Sequence, residues 1–476
     1  MKLNNENYIW EELTFDDVFL YQQQSDIKTR TQIDITPETQ LSTTLPIISS
    51  NMNAITWKRM AEKLARLWGL WVLPQDMVLD RMLNIIDYVH SADLRLDTSL
   101  TVKKNNTIRD ALWIINKRSH QSVIMVDCKD KPVSIFKEED LIDKDEYTKL
   151  SDLRKPRQLI TGQKWITDEE AFNLMEDNGI SSLPIVNKKW VLIWVLTKND
   201  TVRNSNYKPS LNKNWELDVA VALSLNWYTS VIDKIIDSGV NTIFLDTAHW
   251  YTSRMLDTIK TVRNKYNDII IISWNIMTWE WAEALVKAWV NWVKVWIWPW
   301  AMCTTRMMTW VWRPQFSAVL ESAQAARENW WFAIADWWIK YPRDLAFSLA
   351  AWATHTMLWT LLAWTYESPG DVKSDTDWLY KENYWMASTK AVIWRTGELS
   401  KFEQAKRERF EEWISKSKIY NIEALWDIVD KFRTWLESAI SYSWAENIEQ
   451  FHKKAIIWVQ TPAWFTEWTP HWRLKK

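Results

Sequence analysis

A lone cysteine, Cys303, stands in the run Trp296-Ile297-Trp298-Pro299-Trp300-Ala301-Met302-Cys303-Thr304-Thr305-Arg306. A thiolate is the reactive form of cysteine, and helix N-terminal amides or a nearby cation make it available near neutral pH. With two threonines and an arginine directly after it, Cys303 reads as a covalent catalyst rather than an inert buried thiol. The loop makes steric sense only with small residues around the sulfur. With glycine for each tryptophan it becomes Gly-Ile-Gly-Pro-Gly-Ala-Met-Cys-Thr-Thr-Arg.

Composition points the same way. The chain has 39 Trp and 6 Gly in 476 residues, whereas glycine makes up about 7% of an ordinary globular protein. The tryptophans fall at apparent strand ends and turns, in Asp336-Trp337-Trp338, Trp310-Val311-Trp312, His249-Trp250 and Glu412-Trp413. Positive φ or close backbone approach at such places favours a residue without Cβ. The expectation is a gene from a lineage whose UGA codon means glycine, translated as if UGA meant tryptophan.

The elements that must position this chemistry are short β-branched runs separated by helical segments. Eight are expected: 45–49, 70–73, 217–223, 242–245, 269–273, 292–297, 332–335 and 356–358. Eight parallel strands with crossover helices make an α/β fold, the TIM (β/α)8 barrel, whose reactive groups sit on loops at the carboxyl ends of the strands. Polar and reactive residues follow these runs directly: Met52, Gln75, Asp246 with His249, Asn275, Cys303 with Thr305, Asp336 and Thr360.

The barrel is expected in two parts, residues 1–92 and 208–476, because residues 93–207 are too long for a barrel loop and carry a periodicity of their own. They read as two similar halves, Thr107 to Asp140 and Thr167 to Asp200, closing in Phe136-Lys137-Glu138-Glu139-Asp140 and Leu196-Thr197-Lys198-Asn199-Asp200. Such halves resemble paired cystathionine-β-synthase-type (CBS, or Bateman) domains. That resemblance implies an adenine or guanine nucleotide bound by the closing hydroxyl and carboxylate. Only the second half keeps both, as Thr197 and Asp200; Lys137 takes the hydroxyl position in the first.

Charge and cysteine content bound the setting. Lys and Arg number 58 against 60 Asp and Glu, a net charge of −2, so no overall field draws nucleic acid or anionic membrane. Two cysteines, Cys128 and Cys303, build no disulfide framework, nothing at the N-terminus reads as an export leader, and the apolar runs are far shorter than the ~20 residues that span a bilayer. The expectation is a cytoplasmic protein acting on a small soluble ligand.

With glycines restored, the chain resembles the IMP dehydrogenase/GMP reductase family nearly end to end. The resemblance is carried by Leu13-Thr14-Phe15-Asp16-Asp17-Val18, the cysteine loop, Ala335-Asp336-Trp337-Trp338, Met357-Leu358-Trp359-Thr360-Leu361-Leu362-Ala363-Trp364 and Tyr384-Trp385-Met386. Ala301 to Thr309 and Thr365-Tyr366-Glu367-Ser368-Pro369-Gly370-Asp371 are similar to the CBS-containing reductase branch.

The resemblance implies that Cys303 attacks C2 of a purine nucleotide, and that Thr305 and Glu412 assist release of the amine. It implies NADPH-dependent conversion of GMP to IMP and ammonia, in purine salvage. Substrate contacts are then Ser50, Met52, Asp336, Trp338, Trp359, Thr360, Tyr384, Trp385 and Met386, with Asp336 accepting the ribose hydroxyls. Cofactor contacts are Asp246, His249 and Asn275. Backbone carbonyls of Trp298, Trp300 and Cys303 are the implied ligands of a potassium ion, and the implied assembly is a homotetramer or octamer.

Two other readings stay open. IMP dehydrogenase would oxidise IMP with NAD, but relatives of that kind activate water with an Arg-Tyr pair, and no such dipeptide lies between Tyr384 and Glu412, where Arg395 is followed by Thr396. A non-catalytic nucleotide sensor, with the tandem insertion as its working part, is the other.

Overall fold

Strands buried on both faces read as continuous apolar runs, and those runs here build one parallel sheet. A computed structural model describes residues 2–3, 12–75, 77–153, 159–225, 229–247, 252–296, 308–336, 339–374, 379–383, 402, 417–420 and 422–467. Strand β1 (Ile47–Ser49) leads through helix α1 (Lys58–Arg66) to β2 (Val72–Leu73) and α2 (Leu79–His90).

The insertion follows. It holds β3 (Leu100–Lys103), α3 (Ile108–Ile115), β4 (Ser122–Val126) and β5 (Pro132–Lys137), then β6 (Gly162–Gln163), α4 (Asp168–Asp177), β7 (Ser182–Val186) and β8 (Leu192–Thr197), and ends in α5 (Lys198–Asn206).

From there strands and helices alternate. They are β9 (Ala220–Ser224), α6 (Thr229–Asp237), β10 (Thr242–Asp246), α7 (Ser253–Lys265), β11 (Ile270–Ile276), α8 (Trp279–Lys287) and β12 (Trp292–Val295). Then come α9 (Gln315–Glu328), β13 (Phe332–Asp336), α10 (Pro342–Ala350), β14 (His355–Leu358) and α11 (Thr360–Ala363).

The large sheet runs β1-β14-β13-β12-β11-β10-β9-β2, every pair parallel. Ser49 N donates to Leu70 O at 2.8 Å and Leu70 N to Ile47 O at 3.2 Å, which joins β1 to the approach of β2 and closes the barrel. All eight expected strands are present in the expected order. Ile48, Val72, Ala222, Phe244, Ile272, Ile334 and Met357 fill the interior, as side chains do in a (β/α)8 barrel.

The insertion is two copies of one unit. In each, the first strand pairs parallel with the second and the third pairs antiparallel with it. Each helix begins with a capping box, Thr107 with Asp110 and Thr167 with Glu170, which satisfies backbone donors at both ends of the exchange. Ile124, Val126 and Ile135 of the first unit pack on Leu192 and Val195 of the second.

Helix α1 joins barrel to insertion. Met60, Ala61, Leu64 and Ala65 face the core, while Glu62, Lys63 and Arg66 are also buried, beneath the insertion. Three cations meet three carboxylates there. Glu62 binds Arg66 at 2.6 Å and Arg118 at 2.7 Å; Asp97 binds Arg118 at 2.7 Å, Lys63 at 3.0 Å and Arg66 at 3.2 Å; Lys63 also reaches Asp200 at 3.0 Å. Burial pushes the Glu62 carboxyl up, but Arg118 and Arg66 outweigh it and hold the group down to about 2.

Breaking a buried network strands the remaining charges, so Arg118→Met should cost about 3–5 kcal/mol in urea unfolding. Because the folded carboxyl titrates below its ordinary value, Glu62 contributes stability above about pH 4.5 that is lost as pH falls toward 2. Acid unfolding should therefore shift to higher pH in Arg118→Met. An unchanged midpoint would show the network to be energetically neutral.

Among the described residues, eight of the eleven non-glycine residues with positive φ are tryptophans: Trp68, Trp190, Trp215, Trp289, Trp310, Trp330, Trp352 and Trp444. Five of these, Trp68, Trp289, Trp330, Trp352 and Trp444, stand one residue past a helix C-cap, where glycine ordinarily supplies the left-handed turn. Gly179 fills the same place after α4, with φ +62°. The hydrogen bonds match too: Gly179 N to Glu176 O (3.1 Å) and Ile180 N to Met175 O (2.9 Å) parallel Trp330 N to Arg327 O (2.9 Å) and Trp331 N to Ala326 O (3.0 Å). Trp68, Trp274, Trp292 and Trp458 in addition bury an indole N–H with no acceptor, a costly arrangement.

Candidate active site

Parity along each strand decides which polar groups enter the barrel. Phe244, Trp292 and Ile334 belong to the interior cluster, so Asp246, Lys294 and Asp336, two residues farther along the same strands, face inward nearer the carboxyl ends. Asp246 accepts the Asn51 amide at 2.9 Å, and the Lys294 ammonium is paired with Asp336. Gln315, at the start of α9, donates to Val295 O at 3.0 Å and Asp336 O at 2.8 Å, tying the ends of β12 and β13 together.

Of the expected contacts, Ser50, Met52, Asp246, Asn275, Asp336 and Trp359 are all buried at this end, and Thr360 opens α11 beside them. Ser50 N donates to Leu358 O at 3.0 Å, which places β1 and β14 termini side by side. Cys303, Thr305, Glu412, His249, Trp298, Trp300, Trp338, Tyr384, Trp385 and Met386 lie outside the described residues. The backbone N–H of Trp296, which leads from β12 toward the cysteine, donates to Ile276 O at 3.1 Å.

The mouth holds buried polar atoms with no hydrogen-bond partner: Asn51 Oδ1, both amide atoms of Asn53, Gln75 Oε1 and Asn275 Oδ1. Such atoms are rare in folded proteins and call for a partner from outside. Here four side chains at three strand ends carry them. A polar ligand fits this donor set. Among the described residues no group of three or more His, Cys, Asp or Glu could hold a metal ion.

Comparison with known proteins decides the family. The profile of the IMP dehydrogenase / GMP reductase domain matches residues 12–471. The chain belongs to the IMP dehydrogenase/GMP reductase family. It is 34% identical over 464 residues to a GMP reductase of Mycobacterium tuberculosis, covering 96% of both chains. It is 30% identical over 459 residues to the inosine-5′-monophosphate dehydrogenase of Aquifex aeolicus, covering 94% of this chain and 93% of that one. A crystal structure of a cysteine-to-alanine variant of Trypanosoma brucei GMP reductase with guanosine 5′-monophosphate superposes at TM-score 0.67 and 25% identity, covering 99% and 100% of the two chains. Membership of the IMP dehydrogenase/GMP reductase family makes the chain an oxidoreductase of nucleotide substrates, for which a nicotinamide cofactor is the general requirement.

Two features of this family member escaped sequence reasoning. Lys294 is a single lysine inside an otherwise apolar strand, and that isolation was the available signal. Lys381 is buried in the hairpin formed by β15 (Lys373–Ser374), β16 (Leu379–Asn383) and β17 (Ser417–Tyr420). Its ammonium donates to Thr365 O (2.8 Å), Tyr366 O (3.1 Å), Ser368 O (3.0 Å) and Ser368 Oγ (3.2 Å). Asn383 and Ser417 are register partners, so the segment that carries both Tyr384–Met386 and Glu412 departs from and returns to one point.

Thr197 and Asp200, the pair expected at the close of the second half, are both buried. Thr197 caps α5 by accepting the Asp200 N–H at 3.0 Å and donates to Asp200 Oδ2 at 2.7 Å, while Oδ1 takes Lys63 of the barrel. A ribose at this carboxylate would compete with Lys63. Lys137 ends β5 as Thr197 ends β8, so the two closing segments are structurally equivalent.

Proposed function

We propose that this chain is a GMP reductase that converts GMP to IMP and ammonia with NADPH through a covalent adduct on Cys303. The observation that supports it best is similarity over the full length to a mycobacterial GMP reductase, joined to the absence of an Arg-Tyr dipeptide between Tyr384 and Glu412. A relative that carries GMP in its crystal structure is consistent with it.

In this reading the Cys303 thiolate adds to C2 of guanine. Thr305 and Glu412 hold and deliver the proton that lets the 2-amino group leave as ammonia. Hydride then adds to C2, the carbon–sulfur bond breaks, and IMP departs with the thiolate regenerated. NADPH supplies that hydride. Asp246, Asn275 and His249 are the residues that would hold it, and the unpaired Asn275 Oδ1 suits a polar group on it.

Asp336 accepts the ribose hydroxyls, and the amides of Trp338, Trp359 and Thr360 receive the phosphate with Tyr384 beside them. Amides converge on an anion only where side chains are absent, so this requires glycine at Trp338 and Trp359. The same reading includes potassium on the carbonyls of Trp298, Trp300 and Cys303, a tandem CBS insertion over residues 93–207 that binds a regulatory nucleotide, a tetramer or octamer, and a cytoplasmic setting. No helix among the described residues is long and apolar enough to cross a membrane.

The tryptophans at positive φ follow from UGA codons read as tryptophan. Codons at Trp289, Trp330 and Trp444 should be UGA; UGG at all three would overturn this.

Full-length protein with those codons read as glycine, incubated with GMP plus NADPH and separately with IMP plus NAD, tests the activity. Loss of NADPH with GMP alone is the expected result. NADH formed with IMP alone would make it a dehydrogenase, and silence in both would leave a nucleotide sensor.

A further inference from the structure

We infer that Lys294 is a positioning residue for the nucleotide, holding the Asp336 carboxylate ionised and in place for the ribose hydroxyls from beneath the barrel mouth. This rests on the reading of Asp336 as the ribose acceptor. The pairing follows from register. Lys294 lies opposite Ile334 across β12 and β13, so Asp336 stands two residues nearer the carboxyl ends on the neighbouring strand. Both side chains face inward, and the lysine stem reaches up to place its ammonium on Asp336 Oδ2. This geometry needs only the strand register.

An ammonium in this place requires a reason. Lys294 is 1% exposed, beside the apolar interior formed by Ile272, Ile334 and Met357. Replacing a buried ion pair by apolar residues is often neutral or stabilising, so packing alone does not explain the lysine. Its charge has a clear effect on its partner. A carboxylate buried alone takes up a proton, and a protonated acid turns one of its oxygens into a donor. Held ionised, Asp336 accepts hydrogen bonds from two hydroxyls, and such charge-assisted bonds are the strong ones.

The charged groups that face Lys294 are Asp336 on β13 and Asp246 on β10, the latter bonded to Asn51; β11 contributes the Trp274 ring at 3.4 Å. Burial pushes the ammonium down to about 8, against the pull of Asp336 and Asp246. The support to Asp336 therefore weakens as pH rises through that value.

The test compares GMP with 2′-deoxy-GMP in the full chain with UGA read as glycine, in Lys294→Met and in Lys294→Arg, each with NADPH. Unsubstituted protein should show a KM for the deoxynucleotide about tenfold above that for GMP, the size of one hydrogen bond to a charged group. In Lys294→Met the KM for GMP should rise to meet it, bringing the ratio near one, with kcat changed far less because the sulfur chemistry is untouched. Lys294→Arg should restore the ratio and keep it at about pH 9.5, where the unsubstituted protein loses it, since a guanidinium does not titrate there.

A structural role alone would lower stability and leave the ratio intact. Lys294→Met retaining the original ratio would overturn the inference. If that variant does not fold, a ratio in the unsubstituted protein that stays constant between about pH 7 and 9.5 would overturn it equally. Failure of the activity itself shows separately, as no NADPH consumption with GMP in the unsubstituted protein.

Discussion

If the proposed mechanism holds, Cys303→Ala should abolish GMP-dependent NADPH oxidation, by a factor on the order of 10⁴ or more, because that mechanism assigns the covalent step to this thiol. Binding should survive. The contacts assigned to ribose and phosphate come from other strand ends, so GMP should still raise the thermal midpoint of the variant by mass action. Steady-state rates and a thermal shift titration on one preparation check both halves of the statement. Residual turnover within tenfold of the parent would remove Cys303 from the mechanism. Loss of the thermal shift together with turnover would instead show that the substitution had damaged the pocket.

The second large effect concerns the backbone. Trp215, Trp289, Trp310 and Trp330 combine positive φ with exposures of 79%, 65%, 80% and 90%, so their side chains have little packing to lose. A left-handed conformation costs a residue with Cβ roughly 1–2 kcal/mol, and the four sites are far apart in sequence and on different turns. Replacing all four with glycine should stabilise the chain by about 4 kcal/mol if the increments add. Trp435 gives the opposite sign. It lies inside the helix Leu425–Tyr442, where glycine instead of tryptophan should cost about 0.5 kcal/mol. Urea unfolding of the fourfold variant and of Trp435→Gly checks both. Destabilisation by the fourfold replacement would show that the indoles contribute packing that outweighs the backbone strain.

The barrel was legible in the sequence because a parallel sheet covered by helices leaves uninterrupted runs such as Ile269 to Ser273, and because turn residues separate them. The repeat within residues 93–207 left its sequence trace in the matching closures, Phe136 to Asp140 and Leu196 to Asp200. What could not be read was which charges go inside. Glu62, Lys63 and Arg66 sit on the polar face of α1 and have the pattern of a solvated surface. Burial comes from Asp97, Arg118 and Asp200, which lie distant in the chain and share no period with that helix. The sequence likewise gave no sign that Oδ1 of Asp200 pairs with Lys63 of the barrel.

Lys294 and Lys381 were missed for a related reason. A lone lysine in a strand carries no spacing signal, and its partners, Asp336 in one case and the carbonyls of residues 365–368 in the other, become neighbours only through register and loop path. Asp336, Asp246 and Asn275 could be placed at the barrel mouth from the sequence because each stands at or near the carboxyl end of an expected strand, where this architecture gathers polar groups.

The most direct test of the proposed reaction follows the atoms. Full-length protein with UGA read as glycine is given GMP labelled with heavy nitrogen at the 2-amino group, and NADPH deuterated at both C4 positions. The account predicts IMP carrying one deuterium at C2 for each heavy ammonia released, read by mass spectrometry of both products. IMP without deuterium, or label retained in the nucleotide while NADPH is consumed, would contradict it.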